Sequence, residues 1–215
     1  MARFGVGIVL FDEVEVLDAC GPFEVFSTAS RVSLRDQPDA EVPFEVTMVS
    51  AGESREVTAR GGLAMVADRT LGDAGRFDIL VMPGGVTRDV ERDERLRAWL
   101  RTQRETADLI AAVCTGAFVL AEADLLRGPV TTHWEDVAEL AARFPDLTVE
   151  YDVRYIDHGD VATSAGVSAG IDLSLEIVER FAGGDVAAAT ARQMDYPWNR
   201  NPLSLRQRVE GEGLV

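Results

Sequence analysis

The sequence predicts a three-layer α/β sandwich, a mostly parallel central sheet with helices on both faces. Three observations carry this. Short apolar, β-branched runs alternate with stretches of helical periodicity along most of the 215 residues. The runs at 4–10, 77–82 and 109–113 suit strands buried on both faces, as in parallel sheets. One of them ends in Val113-Cys114-Thr115-Gly116, a strand, a sharp turn and a helix with a thiol at the apex.

The elements follow in order. Residues 4–10 form the first strand. Residues 18–30 read as a helix with Gly21-Pro22 near its start, where proline is tolerated. Residues 44–50 are the second strand. Residues 56–58 and 63–67 flank Arg60-Gly61-Gly62 as a hairpin. Residues 77–82 are a third buried strand, closed by Pro83-Gly84-Gly85. Leu96, Trp99 and Leu100 give 93–106 a helical spacing, and 109–113 lead into the cysteine turn and a helix at 117–123. Beyond it, 134–144 read as a helix stopped by Pro145. Residues 147–149 and 153–156 are short strands, and 157–160 turn into a strand at 161–163. Residues 170–181 are an amphipathic helix closed by Gly183-Gly184, and Asp185 caps a last helix through Met194. This divides the chain into one α/β domain, 1–195, and a polar C-terminal tail, 196–215.

Composition narrows the function. There are 37 acidic against 21 basic residues, a net charge of −16. So negative a surface repels phosphate backbones, which argues against a nucleic-acid partner. The two cysteines, Cys20 and Cys114, make neither a disulfide framework nor a zinc spacing. Two histidines without clustered ligands point to no metal. The first apolar run stops at Phe11-Asp12-Glu13, too early for a signal peptide or membrane span, and the expected location is cytoplasmic.

In parallel sheets, ligands bind beyond the carboxyl ends of the strands. Three loops fall there: 12–18, Pro83-Gly84-Gly85 and Cys114-Thr115-Gly116. Cys114 is the candidate nucleophile, and the start of a helix just beyond it leads us to expect a thiolate. Gly84 and Gly85 bring bare backbone close to a ligand, so the N–H groups of Gly85 and Thr115 are a candidate oxyanion hole. Asp18 reads either as a proton shuttle beside the thiol or as a helix N-cap. His133, in Thr131-Thr132-His133-Trp134, either orients substrate or thiolate or is a packed residue; Trp134 falls beside it. Gly116 completes the turn.

Together these segments resemble the ThiJ/PfpI superfamily, the class I glutamine-amidotransferase-like α/β proteins. The marks are Leu17-Asp18-Ala19-Cys20-Gly21-Pro22, Met82-Pro83-Gly84-Gly85, Val113-Cys114-Thr115-Gly116-Ala117, Thr131-Thr132-His133-Trp134 and the run from Thr163 to Asp172. The resemblance implies a flavodoxin-like fold, a homodimer, and a small-molecule substrate. It is strongest to isonitrile hydratases and to the sensor domains of AraC-type regulators. The hydratase branch implies Cys114 as nucleophile, Asp18 as general acid/base and Thr115 shaping the site, with no metal or organic cofactor. The product is an N-substituted formamide. A ligand- or redox-sensing module is the alternative, and a glyoxalase or deglycase activity a third. The superfamily's proteases place histidine directly after the nucleophile, where this chain has Thr115. The tail is too short for a DNA-binding segment of the regulator kind, so none is expected.

Overall fold

A computed structural model of the chain describes residues 3–36 and 41–200. The elements run β1 (Phe4–Leu10), α1 (Val16–Asp36), β2 (Phe44–Ser50), β3 (Glu56–Thr58), β4 (Ala64–Val66), β5 (Arg69–Thr70), β6 (Ile79–Met82), α2 (Arg88–Glu91) and α3 (Glu94–Arg104). They continue with β7 (Leu109–Val113), α4 (Gly116–Glu122), β8 (Pro129–Val130), α5 (Val137–Arg143), β9 (Thr148–Val149), β10 (Tyr155–Asp157), β11 (Val161–Ser164), α6 (Ala169–Ala182) and α7 (Gly184–Gln193).

Seven strands form the central sheet in the order β10-β11-β7-β6-β1-β2-β5. Every pairing in it is parallel except β10 with β11. The order is that of a flavodoxin-like sheet. β6, β7 and all but one end of β1 are buried along their length, because helices cover both faces. α1, α6 and α7 pack together on one face; α3 and α4 pack on the other. The hairpin β3–β4 stands apart from the sheet, as does the small parallel pair β8–β9.

Register positions the site. Met82 pairs with Ala112, and Ser164 with Val113. The carboxyl ends of β6, β7 and β11 therefore finish level, beside that of β1. The loops at 83–85, 114–116 and 165–168 share one rim.

Some boundaries differ from the sequence expectation. α1 runs from Val16 to Asp36 rather than 18–30, so Pro22 lies in its second turn. Pro22 there withholds the N–H that the Asp18 carbonyl would otherwise accept. α5 starts at Val137, not 134, since residues 134–136 form a turn. Tyr196 and Trp198, in the expected tail, pack against the core. The remainder of that tail, 201–215, lies outside the described residues.

Candidate active site

Cys114 occupies the turn between β7 and α4 with φ of 58°, in the left-handed region. A side chain there costs about 1–2 kcal/mol of backbone strain. Three bonds hold it. The Cys114 N–H donates to Ser164 O at 3.0 Å, and Thr132 Oγ1 donates to Cys114 O at 2.8 Å. The Ala117 N–H also donates to Cys114 O, at 3.3 Å. Gly116 is required next, because a Cβ there would sit 2.2 Å from Met82 O. The turn thus lies flush on the end of β6.

Asp18 reaches the thiol from α1. It lies inside the helix's first turn and is fully buried, so it is not an N-cap. Its Oδ2 accepts the Gly84 N–H at 3.1 Å. Its Oδ1 is buried with no hydrogen-bond partner among the described residues. The other group beside the carboxyl is the Cys114 thiol, near enough for each to act on the other's ionisation. Burial pushes the Asp18 carboxyl from its ordinary 3.8 up to about 7; the Gly84 N–H and the thiol oppose the shift, and Glu15 adds to it.

The surroundings work against the expected thiolate. Burial and the neighbouring Asp18 push the Cys114 thiol well above its ordinary value. The Thr115 N–H, directed at the sulfur, pulls the other way and does not prevail. A helix start favours a sulfur anion only where water or positive charge supports it, and here the near charge is a carboxylate.

The expected oxyanion hole is also not free. The Gly85 N–H donates to Thr115 Oγ1 at 2.9 Å, and that hydroxyl donates back to Gly85 O at 2.9 Å. With the Gly84 N–H on Asp18 as well, both glycine donors serve the site's own atoms. Gly84 is needed for this closeness: a Cβ there would lie 2.6 Å from Thr115 N. Gly85 has φ of 139° and bridges Val14 in an antiparallel contact.

A pocket of about 310 Å³ opens over Cys114 and Thr115. Val86, Phe118 and Val167 give it apolar walls, and Arg60, Arg88, Glu91 and Arg143 line it with charge. Arg143 is bound to Glu91 at 2.6 Å and Glu122 at 2.8 Å, which ties α5 to α2 and α4. His133 lines the pocket too, its Nδ1 3.3 Å from Asp136 Oδ2. Burial raises the Asp136 carboxyl, and His133 opposes the shift. Trp134 departs from expectation. Its side chain is 72% exposed and does not line the pocket, because the turn at 134–136 points it outward.

Besides the pocket walls such as Val86, Phe118, Arg143 and Val167, Asp136 and Gly166 escaped the sequence reading as parts of the site. Asp136 sits three residues beyond His133, and that spacing was the available signal. Gly166 falls in the Thr163 to Asp172 run that marks the family resemblance but has no role there; a Cβ on it would strike Cys114 Sγ at 2.6 Å. Among the described residues no cluster of His, Cys, Asp and Glu is arranged to hold a metal ion.

Residues 5–180 match the DJ-1/PfpI family. The chain is 29% identical over 195 residues to an isonitrile hydratase from Pseudomonas putida, covering 89% of this chain and 78% of that protein. It is 28% identical over 207 residues to the HTH-type transcriptional regulator GbdR of Pseudomonas aeruginosa, covering 95% of this chain. It spans only 53% of that regulator. Among solved structures, a ThiJ/PfpI family protein from Pseudomonas syringae superposes with a TM-score of 0.78 at 24% identity. That match covers 100% of this chain and 87% of the other, and speaks for the fold. With the matched region enclosing both the acid and the thiol, this chain belongs to the DJ-1/PfpI family.

Proposed function

We propose that the chain is a cysteine-dependent hydratase that adds water to isonitriles to give N-substituted formamides, without a cofactor. The observation that carries the reading is the buried Asp18 carboxyl, set against the Cys114 thiol and poised near neutrality. A group that titrates near 7 can take a proton and return it in the same cycle.

The steps use that one proton. Asp18 removes it from the Cys114 thiol as sulfur attacks the terminal carbon of R–NC. The proton then passes to that carbon, giving a thioimidate, R–N=CH–S–Cys114. Water adds to the same carbon, with one of its protons going to nitrogen. The carbon–sulfur bond breaks, R–NH–CHO leaves, and sulfur recovers its proton. The first adduct carries its developing charge on carbon and nitrogen, not on oxygen. An active site whose Gly85 N–H is already engaged fits that chemistry better than acyl transfer, which needs free donors for an oxyanion. The pocket, bounded by Val86, Phe118 and Val167, is of a size for a small substituent.

The test is formamide formation from a panel of alkyl and aryl isonitriles. Cys114→Ala and Asp18→Asn should each abolish it. A folded wild-type protein inert toward the whole panel removes the substrate assignment.

A second reading is favoured by one observation, the match to a transcriptional regulator over 95% of the chain. In it, the pocket captures a ligand at Cys114 without turnover. Stable adduct formation with no product release would favour that reading over the hydratase.

A further inference from the structure

The pocket has a back wall made of main chain. β11 ends at Ser164, and residues 165–168 lead from it into α6. Gly166 presses on the reacting centre from behind. A Cβ there would fall 2.6 Å from Cys114 Sγ and 2.7 Å from His133 Cδ2. Val167 then lines the pocket itself. The first turn of α6 is seated as closely, since a Cβ on Gly170 would meet Val113 Cγ1 at 2.7 Å. The cover over the sulfur therefore depends on where this loop is held.

The loop is held from outside the pocket. The Ala165 N–H donates to Arg154 O at 2.9 Å. The Arg154 guanidinium donates to Asp172 Oδ2 at 2.6 Å through Nε, and to Ser168 Oγ at 3.4 Å through Nη2. Tyr196 OH donates to Ser168 O at 3.4 Å, and burial first and then the charge of the nearby Asp172 carboxylate raise the phenol's pKa. The Asn199 N–H closes on Asp172 Oδ1 at 3.4 Å. Asp172 is 1% exposed. A buried carboxylate is tolerated only where its charge and lone pairs are met, and here partners come from the β10 approach and from the segment after α7. Arg154, Asp172 and Tyr196 do not line the Cys114 pocket.

We propose that Arg154, Asp172 and Tyr196 form a brace that positions residues 165–168 behind the Cys114 sulfur, so that the segment following α7 governs the reactivity of the thiol. This rests on Cys114 being the reacting group, and not on which substrate it meets. Asp172 and Tyr196 act as positioning residues through Ser168 and Gly166. The segment 196–199, which the family motifs leave without a role, gains one.

The test reads thiol reactivity rather than turnover, so an inert hydratase assay leaves it standing. The alkylation rate of Cys114 by iodoacetamide is followed across pH and located by peptide mass. The proteins are wild type, Tyr196→Phe, Asp172→Asn and Arg200→Ala. The last is the control: Arg200 lies on the same segment but pairs with Glu179 at 3.1 Å, outside the brace. Tyr196→Phe should react several-fold faster, with a changed pH profile and a melting temperature close to wild type. Arg200→Ala should leave rate and profile unaltered. A Tyr196→Phe profile superimposable on wild type overturns the proposal, as does an equal change in Arg200→Ala. If Asp172→Asn does not fold, Tyr196→Phe decides alone.

Discussion

Asp18, in the first turn of α1, and Cys114, in the left-handed turn after β7, meet as a buried acid–thiol pair. The Asp18 charge raises the cost of ionising the thiol, whereas the thiol eases that of the carboxyl, which burial opposes. The pair is best described as sharing a proton near neutrality, with its two titrations belonging to both residues.

The first prediction concerns stability against pH. The folded pKa of Asp18, about 7, stands above its ordinary 3.8, so protonation favours the folded state. That contribution is fully present below 3.8 and is lost as pH rises through 7. Above 7 the buried carboxylate costs on the order of 4 kcal/mol, taking about 1.4 kcal/mol per unit. Asp18→Asn, which keeps an acceptor for the Gly84 N–H, should therefore melt higher than wild type above pH 7. The gap should close below pH 4. Melting curves at both ends check this; a variant less stable than wild type in alkali contradicts it.

A second prediction concerns the glycines of the rim. Gly116→Ala would place a methyl 2.2 Å from Met82 O and 2.9 Å from Pro83 O, both backbone atoms that cannot swing away. It should destabilise by about 3 kcal/mol or more. Gly61→Ala, in the open hairpin turn with φ of 81°, meets nothing within 4 Å. It should lose only about 1 kcal/mol, the left-handed backbone penalty. Denaturant midpoints of the two variants separate crowding from backbone preference.

Thr115→Val tests the clasp between two loops. The hydroxyl both accepts from Gly85 N–H and donates to Gly85 O. Valine fills the same space and does neither. The loss should be about 1–3 kcal/mol, the usual cost of stranding a backbone donor. Urea unfolding measures it, and an unchanged midpoint would mean that water replaces the hydroxyl at no cost.

The sheet was legible in the sequence because parallel strands buried on both faces are written as unbroken apolar runs. The placement of Pro83-Gly84-Gly85 and Cys114-Thr115-Gly116 on one rim followed from that. The state of the groups on the rim was not legible. A helix start after Cys114 is a local signal, whereas Asp18 and the burial that outweigh it come from distant chain. Gly85 offered a bare N–H, but the Thr115 side chain that occupies it arrives only with the fold. Trp134 keeps its ring 5.7 Å from that of His133, yet the turn at 134–136 leaves it facing solvent outside the pocket. Gly166 became part of the site only because β11 ends level with β7.

The most direct measurement is the rate of Cys114 alkylation as a function of pH in wild type and in Asp18→Asn. With a shared proton, wild type should show two rises, one near pH 7 as the pair loses its first proton and one far above it as the second leaves. Asp18→Asn should lose the lower rise and keep a single thiol titration, displaced below the upper rise of wild type. A single rise in wild type, unmoved by Asp18→Asn, would mean that the acid and the thiol do not share a proton.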